Sequence, residues 1–139
     1  MTSVRLRAVG DVLLWVRNGK RPFERIQHEL RQKDLLFGNL ETVLSESGTE
    51  KKKRWVNTSP PETGDHLRDA GFDILSVANN HTLDMGRVGF ENTLAELEAR
   101  DIAYIGGGRG DERPQGLIVE RNGIRFGFLA YTSGRFRSP

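Results

Sequence analysis

Apolar residues arrive in short runs, and between those runs they fall at three- and four-residue spacing, so the chain reads as strands alternating with amphipathic helices. The run over residues 4–9 predicts a first strand that ends at Gly10-Asp11. Phe23, Ile26 and Leu30 share one face of a predicted helix over 22–30, with Pro22 suited to its first turn. Residues 35–38 predict a second strand, followed by Asn39-Leu40-Glu41. The polar, aperiodic stretch 45–54 predicts a solvated loop, and 55–57 a short edge strand. Pro60-Pro61 opens a helix over 62–70 that Gly71 closes. A third strand, 74–78, runs into Asn79-Asn80-His81-Thr82-Leu83-Asp84. Val88, Phe90, Leu94, Leu97 and Ala99 mark a helix over 86–100, and Asp84 is a candidate cap for its amino terminus. Residues 103–105 make a fourth strand, stopped by Gly106-Gly107-Gly108. The runs 117–121 and 124–131 form a hairpin around Asn122-Gly123, a dipeptide that accepts the positive φ angles of a tight turn. The pattern fades over 132–139.

Such alternation implies an α/β fold with a mainly parallel sheet. In open sheets of this kind ligands bind beyond the carboxyl ends of the strands. Three of the predicted strands end in polar tips: Asp11, Asn39 with Glu41, and Asn79-Asn80-His81. One shared metal or phosphate site is the expectation. Without cysteine the chain has neither disulfides nor thiolate ligands, so a cation would sit on oxygen and imidazole, which suits magnesium, manganese, iron or zinc. A length of 139 residues is one domain's worth, and 1–139 is taken as a single domain. No run approaches the roughly 20 apolar residues that span a bilayer, so no membrane segment is expected. Met1 leads almost directly into the first strand, leaving no room for a secretory leader, and a cytoplasmic location is expected. The net charge of +2 is too mild to argue for nucleic acid.

Gly10-Asp11-Val12-Leu13-Leu14, Asn39-Leu40-Glu41 and Ala78-Asn79-Asn80-His81-Thr82-Leu83-Asp84-Met85-Gly86, continued by Gly89, Thr93, Leu97 and Gly106-Gly107-Gly108, resemble the motif series of the CapA family. These are capsule and poly-γ-glutamate synthesis proteins with a metallophosphoesterase-like fold, and the resemblance runs from about Arg5 to Tyr131. It implies the amino-terminal part of a calcineurin-like metallophosphoesterase sandwich with α-β-β-α layers. It also implies metal-dependent hydrolysis of a phosphate ester by an activated water. Asp11, Glu41 and Asn80 match metal-ligand positions; read from the residues alone, Asp11 could be a turn or helix cap and Glu41 a surface acid. His81 matches the imidazole that contacts phosphate and protonates the leaving group, a task suited to a side chain whose ordinary pKa of about 6.5 lies near neutrality. Asp84 could orient that ring, cap the next helix, or do both, while Asn79 would bond backbone and fix the loop. The substrate would be anionic or phosphorylated, with poly-γ-glutamate one possibility. The alternative is a non-catalytic polyglutamate-binding or assembly module, or an inactive truncated family member.

Two elements of the superfamily pattern are missing. No histidine follows His81, although two-metal sites of the superfamily take histidines from later strands, and Val12-Leu13 stands where an Asp-x-His would continue from Asp11. A metal pair about 4 Å apart would therefore need ligands from a second chain or from a missing carboxyl-terminal half. The chain is expected to be the amino-terminal half of a longer member, with strands left uncovered. His28 and His66 fall on predicted helices and read as solvated. Lys51-Lys52-Lys53-Arg54 could draw in a polyanion, though it reads as solvated loop. Gly106 to Gly110 lacks the Lys-Ser/Thr of a nucleotide loop, and Arg109-Gly110-Asp111 reads as an ordinary turn.

Overall fold

The computed structural model describes residues 2–16, 21–52, 54–109 and 116–133. Lys53, Gly110, Asp111 and the end of the tail, which the sequence reading placed in loops, lie outside the described residues. Four parallel strands form the main sheet: β1 (Leu6–Val12), β2 (Leu35–Leu40), β5 (Ile74–Ser76) and β6 (Ala103–Ile105), side by side in that order. Between them run helices α1 (Gln27–Arg31), α2 (Gly64–Ala70) and α3 (Gly86–Glu98). The predicted α/β class and parallel sheet are what the chain adopts.

Central strand β2 shows why its sequence is almost continuously apolar: both of its faces are covered. Leu36 and Leu40 point to the helical layer, where they join Leu75 and Val77 of the sheet, Leu30 of α1, Leu67 of α2, and Leu94 and Leu97 of α3. Leu35 points the other way, with Ile74 and Ile105, onto Leu117, Val119, Phe126 and Phe128 of a hairpin. That hairpin is a separate two-stranded sheet, β7 (Leu117–Arg121) and β8 (Ile124–Phe128). Phe37 and Phe128 stack across the gap with ring centroids 5.7 Å apart. Burying a leucine completely is worth about 1.5–3 kcal/mol, so these two apolar layers hold the sheet flat against its neighbours. The turn is as predicted, with Asn122 at φ 50° and Gly123 at φ 76°. Gly71 closes α2 at φ 88°, also as predicted.

Several expectations change. β1 begins and ends later than the predicted 4–9, so Asp11 lies inside the strand, beyond an irregularity in register between Ala8 and Asp11. Pairing with Asn39 carries the strand past Gly10. The predicted helix 22–30 shrinks to α1 preceded by turns, and Ile26, which fits the helical period, is 49% exposed. The edge strand expected at 55–57 falls instead at β4 (Thr58–Ser59), which pairs in parallel with β3 (Val43–Leu44), an element the hydrophobic pattern did not reveal. Asp84 does not cap α3: Met85 occupies that position and no side chain makes a capping bond. No described helix is long and apolar enough to cross a membrane.

Candidate functional site at the strand ends

The carboxyl ends of β1, β2 and β5 converge on one line of polar side chains. Asp11 on β1 sits opposite Asn39 on β2, and Asn39 opposite Ser76 on β5, so the strand register itself sets the spacing. The Asn39 amide donates to Asp11 Oδ1 at 2.8 Å. Its carbonyl oxygen accepts from Asn79 Nδ2 at 3.1 Å, and that same amide donates to the Leu40 carbonyl at 2.8 Å. Asn79 Oδ1 in turn accepts the backbone N–H of His81 at 3.0 Å. Three side chains from three strand ends, and the backbone of His81, are thus joined without a break.

The loop after β5 is closed upon itself. Thr82 donates its hydroxyl to the Val77 carbonyl and accepts the Asn79 N–H at 3.1 Å, while Asp84 N–H donates to the His81 carbonyl at 2.9 Å. Gly106, at φ 85°, lies so close that a Cβ there would stand 2.4 Å from the Ala78 Cβ. Gly106 therefore serves close approach to this loop, while a Cβ at Gly107 would stand 2.5 Å from the Phe90 ring. Asn79, half of the predicted amide pair, bonds backbone and fixes the loop as expected.

His81 Nδ1 lies 2.8 Å from Asp84 Oδ2. The Asp84 side chain is fully buried and the His81 ring is 14% exposed. A carboxylate only accepts, so Nδ1 is the ring nitrogen that donates to Asp84. The same Oδ2 accepts the backbone N–H of Asn57 at 2.8 Å, and the Asp84 carbonyl accepts that of Lys51 at 2.8 Å. Lys51 and Asn57 are in this way both tied to Asp84. Of the two roles open to Asp84, orienting the ring is the one its contacts match.

Glu41 follows β2 directly, half-buried, with its N–H on the Val12 carbonyl at 3.1 Å. Asn80 is exposed in the loop past β5. Both occupy the same sheet edge as Asp11, yet among the described residues no three His, Asp or Glu side chains are gathered into a metal cage. Asp11, Glu41 and Asn80 offer only hard oxygen donors at an open edge, which fits a magnesium- or manganese-like ion that keeps several waters. Asp11 is anchored through one oxygen by Asn39, a pattern that presents the other to a ligand. His28 is exposed on α1 and His66 half-buried on α2, away from the strand tips. Asn39 carries no ligand role in the motif pattern of the sequence. Its signal was placement, in register between Asp11 and the loop, which only the strand pairing reveals.

An α/β protein with a histidine–carboxylate pair and a polar line at the ends of parallel strands is the class that fold and site define. A family model described as bacterial capsule synthesis protein PGA_cap matches residues 5–139. Over 115 residues the chain is 30% identical to the capsule biosynthesis protein CapA of Bacillus anthracis, covering 79% of this chain and 28% of that protein. With the PGA biosynthesis protein CapA of Bacillus subtilis the identity is 27% over 115 residues, 79% of this chain and 30% of that protein. An uncharacterized protein of Sinorhizobium fredii, y4sH, is 38% identical over 110 residues, 73% of this chain and 24% of its own length. The chain belongs to the CapA family of bacterial capsule synthesis proteins. It spans less than a third of the length of the curated relatives it matches.

Proposed function

We propose that the strand-end cluster is a phosphoester-hydrolysing centre serving capsule or poly-γ-glutamate synthesis, with His81 as general acid. The observation that carries this reading is the His81 Nδ1 to Asp84 Oδ2 contact of 2.8 Å with Asp84 fully buried. Asp84 holds the ring in one orientation, so that Nε2 can pass a proton to a leaving alkoxide oxygen while the ring recovers one from the attacking water. Asn79 and Thr82 fix the turn that carries the ring. Asp11, Glu41 and Asn80 are the residues that would hold a hard divalent cation, with Asn39 setting the Asp11 carboxylate. That cation would neutralise phosphoryl charge and make water a better nucleophile. Residues 1–139 read as the amino-terminal part of an α-β-β-α sandwich, a reading supported by the helix, sheet and hairpin layering.

Calorimetric titration with manganese and with zinc, and aryl phosphate turnover on the same sample, tests the proposal. Manganese binding that weakens at least tenfold in Asp11→Ala is the expected result, and unchanged affinity removes Asp11 from the site. His81→Ala is expected to keep cation affinity and lose turnover. Loss of both would make His81 a ligand instead of an acid.

A further inference from the structure

Beside the His81–Asp84 pair lies a surface that the hydrolytic reading leaves unused. Lys51 and Asn57 are each pinned to Asp84, by the Lys51 N–H on the Asp84 carbonyl and the Asn57 N–H on Asp84 Oδ2, both at 2.8 Å. Just upstream, Gly48 at φ 124° lets the chain press on Met85, where a Cβ would stand 2.1 Å from the carbonyl oxygen. Among the described residues between the two pins, the exposed side chains are cationic and aromatic: Lys52, Arg54 and Trp55. Trp55 is 61% exposed, and the Arg54 guanidinium lies over its ring at 5.7 Å from the centroid. A second tryptophan, Trp15, is 58% exposed one residue past Leu14. Leu14 is itself held on both sides, by Thr42 Oγ1 at 2.8 Å and by the Ser59 hydroxyl at 2.5 Å. These are the chain's two tryptophans, and both are turned to solvent on segments braced against the site's own framework.

A flexible basic loop would need neither pins nor an indole under its arginine. We infer that Lys52, Arg54 and Trp55 form an anion-gripping wall of the site, which takes the part of a multiply charged chain flanking the reacting group. The inference rests on reading the strand ends as the reaction centre. Cations held by a braced backbone concentrate anions locally, and an arginine ordered by a ring face keeps its N–H groups aimed outward for carboxylate or phosphate. The ligand class is a chain with repeated anionic groups, and carboxylate and phosphate chains share that chemistry.

The two tryptophans make the test direct. In Trp15→Phe protein, where Trp55 is the sole indole, decaglutamate and inorganic tripolyphosphate are titrated separately while emission is followed. A saturable change is expected, with its midpoint raised at least fivefold in a Lys52→Ala/Arg54→Ala variant and at least fivefold by raising NaCl from about 50 to about 300 mM. Response to decaglutamate alone assigns the wall to carboxylate chains, and response to tripolyphosphate alone to phosphate chains. No saturable change with either, or an unaltered midpoint in the double variant, overturns the inference. Both substituted residues are exposed, and an unchanged melting temperature confirms that the variant is folded. Manganese titration of wild type and Asp11→Ala judges the reaction-centre reading separately, so failure of one does not pass for failure of the other.

Discussion

The two ends of the polar line are built differently. At the β5 end, His81 and Asp84 sit in a loop whose amides, hydroxyls and carbonyls bond one another, and Asp84 is fully buried. At the β1 end, Asp11 is exposed on an edge strand with Asn39 as its hydrogen-bonded neighbour. A group that must move a proton along one direction gains from a fixed orientation. A carboxylate that must meet an incoming ion gains from remaining open to water. The contrast separates a braced, buried half from an open one, which on the proposed function a cation would complete, and substitutions should respect that division.

Asp84→Ala should do the most damage. It strands the Asn57 N–H and the His81 ring in the interior, and about 3 kcal/mol should be lost in urea denaturation, along with any turnover. A loss under 1 kcal/mol would show that the buried half is not rigid. Asn79→Ala removes the amide that serves both Leu40 and His81, and a loss of about 2 kcal/mol is expected by the same measurement. Thr82→Val keeps the shape but deletes the hydroxyl bridging Val77 and Asn79, and its melting temperature should fall by an amount equivalent to about 1 kcal/mol. Asp11→Ala lies at the other extreme. Stability should stay within about 0.5 kcal/mol of wild type while cation affinity drops, and destabilisation as large as that of Asn79→Ala would erase the contrast.

Much of this division was legible in the residues. Ile74, Leu75 and Val77 are a run too apolar for a surface segment, and the polar tip beyond them joins the hydrogen-bonded line at the strand ends. Asn122-Gly123 and Gly71 declared their turns because their φ angles suit few other residues. What escaped was set by distant chain. Asp84 reads locally as a cap or as a partner for His81, and only the arrival of the Asn57 N–H at its carboxylate from 27 residues away shows how far it is interior. The pairing of Val43–Leu44 with Thr58–Ser59 is too short to carry a period, and it exists because Thr42 and Ser59 grip Leu14 from either side. Ile26 kept the helical spacing yet stayed exposed, since α1 starts one residue later. Asn39 was invisible as a bridge because its importance comes from register, which the linear pattern does not encode.

The hairpin and the parallel sheet also differ in when they can form. Strands β7 and β8 close across a two-residue turn, whereas each neighbouring pair in the sheet brings together residues roughly 30 to 40 positions apart. A hairpin needs about 1–10 μs to assemble, while a sheet that must first close long loops takes far longer. During that interval Val119, Phe126 and Phe128 are displayed with no Leu35, Ile74 or Phe37 to receive them. The segment that seals one side of the finished molecule is therefore its stickiest part while the chain is still folding, and a newly made chain is most exposed to self-association in that window.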